Sequence, residues 1–365
     1  MNQEITRPPL IRRLARLAAL SVAWLVGLLA LVLGFGAAHY SNLPGPTLRL
    51  IATIAFVVLF LGAAIYWRGG WKAWGASMTV FAVVLVWWLL IPARNDRTWI
   101  TEMAVMPAAE FKGDLLTVHN VRDFVWRTSD DFDIRYEDRE YDLSQVRSVD
   151  LIVSSWGMAD IAHTFFSFGF ADGRRLAISV ESRREQGEAY SPIPGLFKQY
   201  ELIYIVGDER DVIGCRAGPR GESLHVYPLL HLDTDRTRSL LVTMLQAADR
   251  LNTHPRFYRS IAQNCTTTLL GHIEHVLGRP VPLSMDFLLN GRIDQLLYQR
   301  GAIANDAPFE EVRARQQIGP AAKNVLVDSV EYSRAIRATM DDPSRPADPA
   351  PGAPADPAPG AATPD

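Results

Sequence analysis

Three charge-free apolar runs in the first quarter of the chain constrain it most: Leu17–Ala38, Leu50–Trp67 and Ala73–Ala93. A helix needs about 20 apolar residues to cross ~30 Å of hydrocarbon, and each run has about that length. A helix buried in a water-soluble protein rarely lacks charge over such a stretch, so three in succession point to a membrane. Trp24, Tyr40, Trp67, Trp71, Trp74, Trp87 and Trp88 gather mostly near the run ends, where amphipathic rings favour the interface. Arg7, Arg12, Arg13 and Arg16 precede the first run, and Arg68 and Lys72 lie between the second and third. The first connection holds only His39 and, at its edge, Arg49. Cytoplasmic loops collect Lys and Arg. The expected arrangement is therefore a membrane protein with a cytoplasmic N-terminus and everything after Ala93 on the outer side. A cleaved signal peptide ending at Gly36–Ala38 would leave the later region on the same side.

The 365 residues exceed one ordinary domain, and a net charge of −3 argues against a nucleic-acid partner. Two cysteines cannot build a disulfide scaffold or a four-ligand zinc site. No His, Cys or carboxylate cluster has metal-ligand spacing and no G-x-x-x-x-G-K-[ST] loop occurs, so neither metal nor cofactor is expected. In an exported region Cys215 and Cys265 raise two readings, a disulfide between them or a free functional thiol, and the thiol is preferred. The expected organisation is three transmembrane helices over 1–93, an extracytoplasmic catalytic domain over 94–335, and a Pro/Ala-rich tail over 336–365. Within that tail the octapeptide Pro346-Ala-Asp-Pro-Ala-Pro-Gly-Ala recurs from Pro354. Such a segment cannot bury enough surface to order itself.

The region after Arg94 reads as α+β. Strands are expected at Asp114–Arg122, Phe124–Trp126 with Asp133–Tyr136, Asp150–Ser154, Tyr200–Gly207, Asp211–Cys215 and Ser223–Leu229, the last three completing an antiparallel sheet. Helices are expected at Thr234–Leu251, from Asn264 to about Leu277, and over 284–300. The most informative stretch is a hairpin. His163–Phe170 and Arg174–Glu181 both alternate, and Ala171-Asp172-Gly173 is a three-residue loop with glycine at its left-handed position. Matching apolar faces pairs Phe168 with Leu176 and Phe166 with Ile178. That register sets His163 across from Glu181, with Ser179 one step along.

Asn264 is an N-cap candidate that puts Cys265 in the first turn of an amphipathic helix. The helix dipole and free N–H groups there stabilise a thiolate and offer an oxyanion site. Thr266 and the threonines after it keep that entry polar. His272 and His275 share the helix with Cys265 but lie roughly 10 Å or more along its axis, too far to act on the thiol. His225, His231 and His254 have no partner pattern. His163, with a facing carboxylate to fix its tautomer, is the candidate base and Glu181 the candidate orienting group. The charge runs Glu181–Arg184 and Asp208–Arg216 read first as surface ion pairs. The functional version makes Ser179, Arg183 and Arg184 substrate contacts, with the fork-shaped guanidinium of Arg183 or Arg184 meeting a phosphate.

The stretches "AHTFFSFGF", "ISVESRREQGEAY", "GLFKQYELIYIVGDERDVIGCR" and "FYRSIAQNCTTTLLGHI" resemble the Lnb N-terminal periplasmic domain family, which includes Bacteroides-type lipoprotein N-acyltransferases. The resemblance covers most of residues 95–300 and implies a bacterial inner-membrane protein with the region after Ala93 in the periplasm. It implies a permuted papain-like fold of the NlpC/P60 and lecithin–retinol acyltransferase kind, in which a strand histidine precedes a cysteine at a helix start. It also implies acyl transfer from a phospholipid, through a thioester on Cys265, to the α-amine of a lipoprotein diacylglyceryl-cysteine. Three N-terminal spans and a Pro/Ala tail depart from the characterised members. A cell-wall amidase or endopeptidase using the same dyad, and a non-catalytic envelope-binding domain, are the competing expectations.

Overall fold

The computed structural model describes residues 10–41, 43–66, 70–157, 161–230, 232–281 and 292–338. They fall into two compact units. The first holds residues up to 96 together with 189–201 and 257–260; the second holds the rest.

The first unit is built on α1 (Leu10–His39), α2 (Pro46–Tyr66) and α3 (Gly70–Leu90). Leu17–His39, Pro46–Tyr66 and Gly70–Leu90 are long and apolar enough to cross a membrane. The third stops at Leu90, short of the expected Ala93, where Ile91-Pro92 leaves the helical path. The helices meet through Ala30, Phe56 and Phe60, with Met78 and Phe81 packed on them. A Cβ at Gly34 would overlap the Phe56 ring, so the close approach of α1 and α2 needs glycine there. Ser77 donates to the Phe60 carbonyl at 2.9 Å, satisfying a polar group between apolar surfaces. Segment 189–201 joins this unit at the end of α3. Lys198 donates to the carbonyls of Trp88 (3.0 Å), Leu89 (2.9 Å) and Ile91 (3.2 Å). Last-turn carbonyls have no partner within a helix, and an ammonium with three donors suits that end of the dipole. The Trp88 indole donates in return to the Phe197 carbonyl at 3.0 Å.

The second unit carries a mixed sheet. Its strands are β1 (Ala108–Lys112), β2 (Leu115–Arg122), β5 (Tyr136–Asp142), β6 (Val146–Ser155), β7 (Ala162–Phe170), β8 (Arg175–Arg183), β9 (Glu201–Gly207) and β10 (Ser223–Pro228), while β3 (Val125–Trp126) and β4 (Phe132–Asp133) form a separate pair. The order is β1-β2-β9-β8-β7-β6-β10, with β5 also on β2. The expected all-antiparallel sheet is corrected at one seam, because β2 and β9 run parallel through Arg122 and Gly207. A Cβ at Gly207 would meet the Arg122 carbonyl oxygen at 2.8 Å, which explains the glycine.

Residues 211–215 are a second correction. Instead of a strand they enter two short helices, α4 (Glu209–Val212) and α5 (Gly214–Ala217). Asp208 caps α4 by accepting from the Arg210 N–H, and the Asp211 carboxylate is consumed by Arg122, the Phe124 N–H and the Trp126 indole. Helix α6 (Thr234–Thr253) and α7 (Cys265–Leu277) follow as expected. Then come α8 (Ile293–Gln299), α9 (Phe309–Gln316) and α10 (Ser329–Ala338). Residues 284–291 of the expected 284–300 helix lie outside the described residues, as does the tail from 339. Helix α10 passes the expected boundary at 336, with Ile336 fully buried.

Alternation along the strands divides the core between two faces. Ile152, Phe165 and Ala177 pack with Val212, Ile213, Tyr332 and Ile336, that is, with α4, α5 and α10. The neighbouring residues Leu151, Thr164 and Phe166 point to the other face, where α6 and α7 lie.

Candidate active site

The β7–β8 hairpin has the register expected from its apolar faces: Phe168 opposes Leu176, Phe166 opposes Ile178 and Phe165 opposes Ser179. A slip by one residue would turn three phenylalanines toward charged α4 and α5. Two residues before Phe165, on the same face, stands His163. Its Nε2 lies 3.0 Å from Glu181 Oε1 and 2.7 Å from the Ser179 hydroxyl. Ser179 in turn donates to Glu181 Oε1 at 2.8 Å. The same imidazole acts on the Cys265 side chain, by charge and by hydrogen bonding.

Cys265 arrives from the other direction, as the first residue of α7. The helix start is a capping box: the Thr267 N–H donates to Asn264 Oδ1 at 2.8 Å, and the Asn264 N–H donates to the Thr267 hydroxyl at 2.9 Å. Asn264 and Cys265 are both buried. The Cys265 sulfur also receives a backbone hydrogen bond from Thr164 and lies 3.8 Å from the Thr266 hydroxyl. Thr266 and Thr164 share a 3.0 Å hydrogen bond across the two elements.

Electrostatics favour the charged pair. Burial works against a charged His163, but the Glu181 carboxylate and Cys265 outweigh it and push the imidazole up to about 9. Burial raises a thiol, yet the facing imidazolium brings Cys265 below its ordinary value. Glu181 is opposed by burial too, and His163 with Arg216 hold it well below the usual carboxylate range. Cys215 behaves oppositely: burial, unmatched by any histidine, pushes its thiol up. Both cysteines are free, and Cys215 packs with Phe124 and Trp126. A thiolate facing an imidazolium is the arrangement that makes cysteine a nucleophile at neutral pH.

Arg216 is the residue that sequence reasoning missed. It reaches from α5 to donate to Glu181 Oε1 at 2.5 Å, with its guanidinium 4.9 Å from the Phe165 ring centroid. It lies in a run read as surface ion pairing, which is corrected here: Asp208, Glu209 and Asp211 are fully buried and Arg216 nearly so. Ser179 is not presented for substrate contact either, being fully buried between imidazole and carboxylate. Arg183 is buried as well. It donates to the carbonyls of Met103 and Ala104 and stacks 4.2 Å from the Trp99 ring centroid, so the expected phosphate contact is corrected to a backbone clamp. Arg184 offers its carbonyl to the Ile100 N–H at 3.0 Å. Among the described residues, no three His, Cys, Asp or Glu side chains converge as a metal site.

Residues 133–290 match the family model described as the Lnb N-terminal periplasmic domain. No curated protein and no solved structure matches the chain.

Proposed function

From residues 133–290, which belong to the family of Lnb N-terminal periplasmic domains, we infer that the chain is a membrane-anchored cysteine acyltransferase. The observation that carries this reading is the His163–Glu181 contact at 3.0 Å, set against a buried Cys265 at a capped helix start. The strand histidine before the helix cysteine is the order of a permuted papain-like enzyme. The family and the three apolar helices make the chain a membrane protein with a periplasmic domain. The positive charges Arg7, Arg12, Arg13 and Arg16, ahead of the apolar span Leu17–His39, support a cytoplasmic N-terminus in the inner membrane.

In the first half-reaction the Cys265 thiolate attacks the acyl carbonyl of a phospholipid ester. The S–C bond forms, the C–O bond breaks, and the proton held by His163 passes to the departing glycerol oxygen. Backbone N–H groups in the first turn of α7 are the candidates to receive the transient oxyanion. In the second half-reaction the α-amine of an S-diacylglyceryl cysteine gives a proton to His163 and attacks the thioester. The C–N bond forms, the S–C bond breaks, and the thiolate returns. Glu181 keeps the ring oriented and its charge compensated throughout, and Arg216 compensates Glu181.

Intact-lipoprotein mass spectrometry tests this in cells lacking the protein. Loss of the N-acyl chain, restored by the wild-type gene but by neither Cys265→Ser nor His163→Ala, is expected. Unchanged lipoproteins with an altered muropeptide profile would instead assign the dyad to cell-wall peptides.

A further inference from the structure

A cavity of about 400 Å³ runs beside α7, within the range of sites that hold small molecules, about 300–1,000 Å³. Its walls include Leu269, Leu270, Ile273 and Leu277 on successive turns of α7, facing Phe166 of β7 and Leu297 of α8. Its polar end is Thr164 with Thr266, the hydrogen-bonded pair beside the Cys265 sulfur. Arg279 and Arg300, both exposed, stand beyond the C-terminus of α7. The 13 residues of α7 provide a wall about 18 Å long.

We propose that this cavity holds the acyl chain of the lipid donor, laid along α7 with its carbonyl at the threonine pair. The inference rests on the acyl-transfer reading and gives that reading a binding place for the donor's chain. A peptide is the poorer occupant, because each residue brings a backbone donor and acceptor that aliphatic walls leave unsatisfied. An unbranched hydrocarbon makes no such demand. A chain held by its whole length also fixes the one carbonyl that comes within reach of the sulfur, which is the positioning that covalent catalysis needs.

Full-length Cys265→Ser protein in detergent, irradiated with a diazirine-bearing palmitate and mapped by peptide mass spectrometry, tests the cavity directly. Label is expected on peptides covering 265–281 and 293–302, competed by palmitate. Ile273→Trp, or Leu297→Trp if the first variant misfolds, removes room for about two methylenes and is expected to lower that label roughly tenfold. Label confined to peptides from α1–α3, or unchanged by both variants, overturns the proposal. A parallel incubation of wild-type protein with p-nitrophenyl palmitate separates the two ideas. Cavity labelling without an acyl adduct on Cys265 upholds the cavity and defeats the acyl-transfer reading. An adduct without cavity labelling does the reverse.

Discussion

Replacing Glu181 with glutamine isolates what the partly buried carboxylate does for the thiol. His163 rises from 6.5 to about 9 against the cost of burial, with Glu181 the leading favourable influence and Cys265 the next. At about 1.4 kcal/mol per pH unit that is a net preference of about 3 kcal/mol for the imidazolium. If Glu181 supplies half of it, the variant loses about 1.5 kcal/mol, which is about one pH unit or a roughly tenfold smaller equilibrium constant for the imidazolium. Two features make this a lower bound. Arg216 keeps its cation with no carboxylate to meet it, and a buried unpaired charge repels the imidazolium further. The ring itself stays in place, since Ser179 still lies 2.7 Å from Nε2, so the variant probes charge more than position. The assay is iodoacetamide alkylation of Cys265 between pH 5 and 10 in a Cys215→Ser background. Wild-type protein is expected to react well below the pH at which an ordinary thiol ionises, and Glu181→Gln is expected to move the midpoint of that rate profile up by about one pH unit, with up to roughly tenfold slower reaction on its acid limb. Superimposable profiles in two equally folded proteins would refute the proposed role of the carboxylate.

Two further outcomes follow from the same geometry. Asn264→Ala removes the side-chain acceptor of the Thr267 N–H, and is expected to cost about 1 kcal/mol of stability by denaturant titration while slowing Cys265 alkylation. His272 titrates in the opposite sense to His163: burial lowers it from 6.5 to about 4, and its Nε2 shares a 2.7 Å hydrogen bond with the Tyr204 hydroxyl. A depressed value means stability is complete above pH 6.5 and is lost as pH falls toward 4, by about 3 kcal/mol over that window. His272→Gln, which keeps an acceptor for Tyr204 without titrating, is expected to flatten the acid side of the thermal-midpoint profile. An unchanged slope would remove His272 from the explanation.

The hairpin was legible because its apolar residues alternate without interruption, so only one register buries Phe166, Phe168, Leu176 and Ile178 together. His163 and Glu181 came with that register. The cap at Asn264 was legible for a similar reason, being a short-range pattern. What sequence did not yield is the work of buried charge. Asp211 and Arg216 look like surface residues in a list, and only tertiary partners, Arg122 for one and Glu181 for the other, explain their burial. The same holds for Arg183, whose planar guanidinium matches two carbonyls that are distant in sequence. Strand β5 escaped notice because its inward positions are filled partly by Arg139, whose stem packs while its head reaches Asp208 at 2.7 Å. The end of α3 hid its partner too, since Lys198 lies more than a hundred positions away.

Neighbouring residues of β7 serve opposite sides of the sheet. His163 belongs to the side with α4, α5 and the buried charges, while Thr164 borders the leucine-walled space along α7. One peptide bond thus separates proton traffic from hydrocarbon, and inserting or deleting a single residue ahead of it would exchange the two. The strand can drift in composition at many places, but its phase at that bond is fixed.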